Sequence, residues 1–379
     1  MIFDEKYKNF RAKVRDFADH EVAPRAKELD QKGEFPWDLV KRMGELELLA
    51  IYVPKKYGGA GLDTLSYAIA VEEIGRVCGS TGIFLAAHSS LGVYPIYFAG
   101  TEEQRQKWLI PLARGEKIGS FGLTESNAGS DAAATQTTAK LVGENYVING
   151  TKRFITSGGV ADIIVFTATK DPTLGYPGIS AFVVEKGTPG FSPGKNEDKL
   201  GLHGSLTSEL IFEDCKIPKQ NLLGKEGDGF KVFMDTLDGG RISIGALALG
   251  IAQGALDASI KFVKENTKAG KPLSKSQHLQ SMIAEMATEI EAARLLITQA
   301  ALLKDSGRPF TKEAAMAKYY ASTIGMKTTN MAIDIHGLLG ITNEYPVERF
   351  MRDEKLMEIG EGTSEIQKIV IAREILGKK

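Results

Sequence analysis

The sequence predicts an α+β protein of three units: an all-α unit, a middle β-unit of barrel or sandwich type, and a C-terminal four-helix bundle. Apolar residues recur with a helical period to about residue 115, short β-branched runs follow to about residue 225, and long helical periods then return. With 379 residues, 43% of them hydrophobic, the chain is long enough for a large core. We place the units at residues 1–118, 119–226 and 227–379.

The first unit is expected to be helical, with breaks where glycine and proline cluster at residues 33–36, 54–61 and 100–101. Residues 66–75 and 81–100 are rich in small and apolar side chains. This composition predicts helices packed on most of their circumference, because no polar face is left for water. Such helices can form the wall of a ligand pocket.

The middle unit is expected to contain strands at residues 146–148, 152–156, 163–169, 179–184 and 209–212. Asn149-Gly150 separates the first two runs, and both residues tolerate positive φ, so the pair predicts a hairpin turn. We expect this β-unit to pack between the two helical units. A functional site is then expected where the three meet.

Composition excludes several classes of protein. Lys plus Arg total 47 against 48 for Asp plus Glu, and a net charge of -1 provides no field that would attract nucleic acid or an acidic membrane.

The N-terminus resembles no signal peptide, and no apolar run approaches the roughly 20 residues of a membrane span, so a cytoplasmic location is expected. Cys78 and Cys215 have no zinc-like neighbours and the five histidines share no ligand spacing, so we expect buried cysteines and no metal site.

One carboxylate has an unusual setting. Glu361 stands between Gly360 and Gly362, just before a helix start predicted from the capping-box pattern of Ser364 and Gln367. Flanking glycines let the backbone approach a ligand closely, and a capped helix fixes where the loop ends. The setting suits a catalytic base, but it also suits an ordinary acid attracted to the positive end of a helix dipole.

Three further stretches could bind a ligand. The loop FGLTESNAGSDAA, residues 121–133, offers hydroxyls and amides for a phosphate or a flat polar ring, or is a simple connection. KRFITSGG, residues 152–159, is either the edge of a ring-binding site or a strand-to-turn transition. DGGR, residues 238–241, offers Arg241 to a ligand or pairs it with Asp238 within the helix. A GxGxxG fingerprint after a strand is absent, which argues against a Rossmann site.

Together with YPVERFMRDEK and EIGEGTSEIQ, these stretches resemble the acyl-CoA dehydrogenase family in one order along essentially the whole chain. The sequence is most like those of its short-chain (butyryl-CoA) members. The resemblance implies FAD between the β-domain and the C-terminal bundle, with an acyl-CoA thioester between the flavin and Glu361. It also implies a homotetramer and an electron-transfer flavoprotein as the electron acceptor.

The resemblance assigns roles residue by residue. Glu361 matches the base that removes the α-proton, and relatives with the base elsewhere place it where this chain has Gly240. Positions that contact the cofactor in the family are matched by Phe121, Leu123, Thr124, Ser130, Phe154, Ile155, Thr156, Gln277, Thr363 and Glu365. Positions near the CoA substrate are matched by Ser130, Asp238, Arg241 and Gly362.

Two departures concern the adenosine end of FAD. Asn266 and Ala269 replace an arginine and a phenylalanine of the family, and Asp334 and Leu338 replace an amide and a glycine beside the retained Gly337. Asp334 and Gly337 are kept as cofactor positions. Losing an arginine and gaining an acid near phosphates predicts that FAD is held more weakly or by different groups.

Other departures concern the loop and the substrate. His88 falls where relatives line the far end of the acyl chain, which predicts a short, branched or cyclic acyl group unless the histidine is simply packed. His203 stands where many relatives carry arginine, and Gly360 stands where many carry tyrosine. Gly82 replaces an arginine of glutaryl-specific relatives, which disfavours a dicarboxylic substrate.

The expected activity is α,β-dehydrogenation of an acyl-CoA to the 2-enoyl-CoA. Two alternatives stay open at this point. The same residues could serve an enoyl-CoA reductase, because a catalyst accelerates both directions. The altered FAD positions could instead mark a flavin-poor CoA-binding subunit.

Overall fold

The computed structural model describes residues 4–377 and has three units in the predicted order. Helices form the first: α1 Glu5–Phe17, α2 Ala23–Lys32, α3 Trp37–Glu45, α4 Thr64–Gly75, α5 Gly79–Ala87, α6 Tyr94–Ala99, α7 Glu102–Gln104 and α8 Ile110–Ala113. The predicted breaks are confirmed, since Gly33 ends α2 in the left-handed conformation and Gly100 follows α6. Every residue of α4 and α5 is buried, as their composition predicted.

Three wide, π-helical turns interrupt the first unit at Ala18–Val22, His88–Val93 and Arg105–Leu109. Each is followed by a helix whose second residue is proline: Pro24, Pro95 and Pro111. Proline lacks an N–H and its ring collides with the carbonyl four residues earlier. A wider turn relieves that collision, so the prolines explain where the helices change their winding.

The middle unit is built on one sheet. Its strands are β1 Gly119–Gly122, β2 Thr138–Val142, β3 Asn145–Thr156, β4 Ile163–Thr169, β5 Ile179–Glu185, β6 Phe191–Asn196, β7 Thr207–Pro218 and β8 Leu222–Leu223. They are ordered β6-β7-β3-β2-β4-β5-β8, and β1 pairs with β4 in parallel. Cys215 in β7 and Cys78 before α5 are buried free thiols, as expected.

The hairpin predicted at Asn149-Gly150 is wrong. Both residues lie within β3, and a shift in its pairing with β7 between Ile148 and Gly150 makes a bulge there, with Gly150 at φ 144°. The side-chain amide of Asn149 donates to Asp214 of β7 over 3.0 Å. Residues that tolerate positive φ serve a bulge as well as a turn, so the dipeptide alone could not separate the two. Only two residues separate β2 from β3, and the first of them, Gly143, has φ 60°.

Five helices form the third unit: α9 Gly229–Glu265, α10 Gln277–Asp305, α11 Thr311–His336, α12 Val347–Glu354 and α13 Ser364–Leu376. A small hairpin of β9 Thr267–Lys268 and β10 Lys271–Pro272 precedes α10. The long helix α9 packs against α10 and α11, and α11 packs against α13. The predicted bundle is therefore confirmed, with α12 packed beside it.

The two helical units contact each other directly, which corrects the expectation that the β-unit separates them. Helix α4 packs on α9, where glycines allow the backbones to approach. A Cβ added at Gly250 would lie 2.3 Å from the carbonyl oxygen of Glu72, and one at Gly254 would lie 2.1 Å from that of Arg76. The site is thus built on a continuous helical core.

Two segments are long and apolar enough to cross a membrane by length and composition, contrary to our expectation. They are Gly79–Ala99 and α9, and 72% and 83% of their respective apolar windows are buried inside the protein. Their apolar character follows from packing on all sides, which the core of a water-soluble fold also demands.

Replacing Gly250 with alanine should destabilise the protein by about 1–3 kcal/mol, because the new methyl group would overlap a backbone oxygen that cannot move freely. The matched control is Gly245→Ala on the same helix, where the nearest atoms lie at an ordinary 3.5 Å. That control should be neutral or stabilising by up to about 1 kcal/mol, since alanine favours helix. Urea unfolding of both variants measures the difference, and equal midpoints would contradict the close packing.

Candidate active site

Glu361 lies in a strained loop that enters α13. Its φ is 52° and that of Gly362 is 92°, so a non-glycine residue occupies the left-handed region at a cost of about 1–3 kcal/mol. The predicted capping box is wrong by one residue: Thr363, not Ser364, is the N-cap, and its hydroxyl accepts from the N–H of Ile366. Gln367 instead donates to the carbonyls of Glu361 and Gly362, over 3.2 Å and 2.9 Å.

The carboxylate of Glu361 points at α9. A Cβ added at Gly240 would lie 2.1 Å from Oε2 of Glu361, so only glycine leaves room for the acid there. Oε2 is buried and has no hydrogen-bond partner in the described part of the chain. Burial raises the pKa of Glu361 to about 7, although the charges of Lys318 and Arg241 act to lower it. A carboxylate with such a pKa can take a proton near neutral pH.

Sequence reasoning missed Lys318, which supports this loop from α11. Its side chain is fully buried, and Nζ donates to the carbonyl of Gly362 over 2.7 Å. Burial lowers the pKa of Lys318 to about 8, while the nearby Glu361 raises it. A signal was present in the sequence, because Lys318 shares a helix face with Ala314 and Ala321, both buried.

Asp238 and Arg241 form the ion pair within α9 that the sequence left open as the simpler alternative. Thr311 also donates to the second oxygen of Asp238. The side chain of Arg241 is nearly buried, yet its Nε has no partner among the described residues. The pair therefore orients Arg241 and leaves its Nε–H without a partner among the described residues.

The predicted flavin positions of the middle unit gather at the end of β3 and in the loop after β1. Phe121 is buried and stacks on Phe233 of α9, with ring centroids 4.0 Å apart. Phe154 has φ 57° and exposes 59% of its surface, because the pairing of β3 with β7 shifts between Lys152 and Ile155. The remaining positions differ in exposure: Ile155 is buried, Leu123, Thr124 and Thr156 are half-buried, and Ser130 is exposed.

This arrangement fits the ring system of FAD. An exposed aromatic ring on a strained strand end, beside half-buried hydroxyls, offers one apolar face and several polar edges to a flat heterocycle. The residues that would hold it are Leu123, Thr124, Phe154 and Thr156. Thr363 contributes less freely, because its hydroxyl already caps α13.

A buried ion pair, missed from the sequence, anchors the loop after β1. Lys152 Nζ donates to Glu125 over 2.7 Å, to the Thr167 hydroxyl over 3.0 Å and to the Leu123 carbonyl over 3.2 Å. Glu125 also accepts from the backbone N–H groups of Gln136 and Thr137. Desolvation lowers the pKa of Lys152 to about 8, and Glu125 opposes that shift. The loop is thus fixed from both ends.

Other predicted cofactor positions lie away from the base. Gln277 begins α10 and Asp334 and Gly337 end α11, so the antiparallel pair brings all three, exposed, to one end of the bundle. Asp334 is sixteen residues from Lys318, or about 24 Å along the helix at 1.5 Å per residue. Within one chain these three residues therefore do not lie near Glu361. Glu365, in the first turn of α13, is also exposed.

His88 does not offer its ring to an acyl group. Nδ1 accepts from the N–H of Gly119 over 3.1 Å, and Nε2 lies 3.1 Å from the Leu112 carbonyl, to which it donates. Burial lowers the pKa of His88 to about 4, so the ring is neutral. The substrate contact predicted for His88 is corrected: its side chain joins the end of α8 to β1. Gly82 has no room for arginine, since a Cβ there would lie 2.6 Å from Leu247.

Comparison with known proteins defines the class. Sequence profiles of the acyl-CoA dehydrogenase N-terminal, middle and C-terminal domains match residues 4–116, 120–215 and 227–376. The chain belongs to the acyl-CoA dehydrogenase family, with its three-domain fold, and is an oxidoreductase acting on acyl-CoA. Our boundaries at residues 118 and 226 stay predictions.

The relatives point to the short-chain branch. The chain is 54% identical to the short-chain specific acyl-CoA dehydrogenase of Clostridium acetobutylicum over 96% of both chains. It is 50% identical to the acryloyl-CoA reductase (NADH) of Anaerotignum propionicum, over 96% of this chain and 92% of that one. Butyryl-CoA dehydrogenase from Megasphaera elsdenii superposes with a TM-score of 0.97 at 45% identity, over the full length of both chains.

Lys152→Met should destabilise the protein by about 3–5 kcal/mol, because Glu125 would keep its charge in a buried position without its cation. Adding Glu125→Gln should recover part of that loss by removing the stranded charge. Lys140→Met, at an exposed position in β2, is the matched control and should change little. Urea unfolding compares the variants, and a Lys152→Met protein as stable as the control would refute the role of the pair.

Proposed function

We propose that the enzyme catalyses α,β-dehydrogenation of a short, branched or cyclic acyl-CoA thioester, with Glu361 as the base that removes the α-proton. The observation that carries the proposal is the Oε2 atom of Glu361, which is buried, unpartnered and seated against Gly240. An acid kept dry and unpaired in this way is costly unless a ligand atom comes to it. Some relatives carry the catalytic base at the position of Gly240, where this chain has no acid.

The chain's own groups would perform distinct parts of the reaction. The carboxylate of Glu361 would take the proton, and the acidity of the α-carbon would rise as the N–H of Glu361 donates to the thioester carbonyl. Arg241, oriented by Asp238, would hold the CoA part of the substrate together with Ser130 and Gly362. Bound FAD would supply the acceptor for the β-hydride.

Short acyl groups are favoured by the relatives rather than by His88. Several curated relatives at 49–54% identity are named as short-chain specific acyl-CoA dehydrogenases. A screen of straight, branched and cyclic acyl-CoA thioesters, followed by flavin absorbance, ranks them.

Reduction of a 2-enoyl-CoA is the second candidate function. The similarity to an acryloyl-CoA reductase supports it, since the same base and cofactor serve either direction. A solved structure titled for the electron transferring flavoprotein of Acidaminococcus fermentans matches with a TM-score of 0.97 at 51% identity, over 99% of this chain and all of that one. We therefore retain an electron-transfer flavoprotein as the proposed redox partner.

We also propose a cytoplasmic homotetramer. Leu338 and Ile341, beside the exposed Asp334 and Gly337, leave 84% and 69% of their surfaces uncovered at the end of the bundle. A second copy placed there would bury them and could bring Gln277 to its neighbour's cofactor. Large exposed apolar side chains at one end of a bundle favour such association.

Glu361→Gln should slow anaerobic bleaching of the flavin by butyryl-CoA at least about a hundredfold, because an amide cannot accept the α-proton. The variant should still bind FAD and ligand, since the side chain keeps its size. Glu374→Gln, an exposed acid later on α13, is the control and should bleach at the wild-type rate. Stopped-flow absorbance measures both, and unchanged bleaching by Glu361→Gln would disprove the assignment.

The bleaching rate should rise about tenfold per pH unit up to about pH 7 and then level off. The base works only when ionised, and burial raises the pKa of Glu361 to about 7, so protonation removes activity below that value. An acid at its ordinary pKa would give a rate that is flat from pH 6 upward. Stopped-flow measurements between pH 5 and 8 distinguish the two profiles.

A further inference from the structure

Two buried donors hold the carbonyl oxygen of Gly362, directly after Glu361. Lys318 donates from α11 over 2.7 Å and Gln367 donates from α13 over 2.9 Å. Both side chains are fully buried. The strained loop is thus attached to two helices, α11 and α13.

Lys318 has a charge that this hydrogen bond does not require. A neutral amide holds the same carbonyl, as Gln367 does, whereas burying an ammonium group costs several kcal/mol. Among residues 4–377, no carboxylate lies within 4.0 Å of the Lys318 Nζ. The positive charge of Lys318 therefore acts on groups that lie beyond salt-bridge distance.

The charged groups that face Lys318 are Glu361, Arg241, Glu358 and Glu354. Glu354 is fully buried, neither of its oxygens has a hydrogen-bond partner among residues 4–377, and burial raises its pKa well above the ordinary value, which favours the neutral form. Glu358 is paired with Lys355 over 2.6 Å. Of these acids, Glu361 is the one that adjoins the carbonyl held by Lys318.

The cations that face Glu361 are Lys318 from α11 and Arg241 from α9. Arg241 is already paired with Asp238 within its own helix. Lys318 has no such counter-ion, so its field reaches Glu361 less diminished.

We propose that Lys318 is a positioning residue that holds the Glu361 loop by hydrogen bonding to the Gly362 carbonyl and places a positive charge beside Glu361. The inference rests on the proposed role of Glu361 as the base. Lys318 itself touches the loop backbone and not the reacting atoms.

The test is Lys318→Met in the full FAD-loaded enzyme. Methionine fills most of the same space, and Gln367 still satisfies the Gly362 carbonyl, so the loop keeps one support. The carboxyl infrared band assigned to Glu361, by its loss in Glu361→Gln, should titrate about one pH unit higher than in the wild type. Bleaching by butyryl-CoA should shift in parallel and be up to about tenfold slower below pH 7.

Three variants separate charge from packing. Gln367→Leu removes the neutral donor to the same carbonyl and should leave the midpoint unchanged, whatever it does to the rate. Lys327→Met removes an exposed lysine of the same helix and should change neither the infrared midpoint nor the bleaching rate. Lys318→Arg keeps the charge and should keep the wild-type midpoint.

An unchanged infrared midpoint in Lys318→Met would overturn the proposal, and so would an equal shift in Gln367→Leu. If Lys318→Met does not fold, Lys318→Gln carries the same test, because it offers the carbonyl a neutral donor. Failure of the wild type to bleach with any acyl-CoA would count against the proposed function instead. The infrared titration would still report whether Lys318 lowers the pKa of Glu361.

Discussion

The contact between the Glu361 carboxylate and Gly240 is the constraint on which the site depends. A single methyl group at residue 240 would occupy the space of Oε2, so α9 must present bare backbone at that point. The same helix reaches α4 through Gly250 and Gly254, and carries Asp238 and Arg241 on either side of Gly240. One helix therefore sets the distance between the proposed base Glu361, Arg241 and the N-terminal unit.

Strain lies on both sides of the proposed reaction site. Glu361 on the bundle side, and Phe154 and Ser157 on the sheet side, all have φ between 52° and 60° although none is glycine. Each costs free energy that the surrounding packing must supply, here from the buried Lys318 and Gln367 on one side and from β7 on the other. Groups held this firmly before the ligand arrives need little reorganisation during the reaction.

Patterns that follow from packing and from linear motifs could be predicted from the sequence. The three units, the fully buried α4 and α5, and four of the eight strands of the middle unit (β3, β4, β5 and β7) were predicted, because hydrophobic period and small-residue content report burial directly. The Asn149-Gly150 turn and the Ser364 cap were wrong, because each dipeptide or hydroxyl suits two local geometries and only tertiary pairing decides. Lys318 and Glu125 could not be found by motif, since their partners, the Gly362 carbonyl and the Lys152 side chain, are distant in the sequence.

His88 shows why a residue type alone does not define a pocket. The family resemblance placed His88 at the far end of the acyl chain, yet its two ring nitrogens join the last turn of α8 to β1. His88 begins a π-helical turn, and its ring lies beside the start of the sheet, where it accepts from the N–H of Gly119. A buried polar side chain must satisfy its own hydrogen bonds, and for His88 the backbone groups of Leu112 and Gly119 do so.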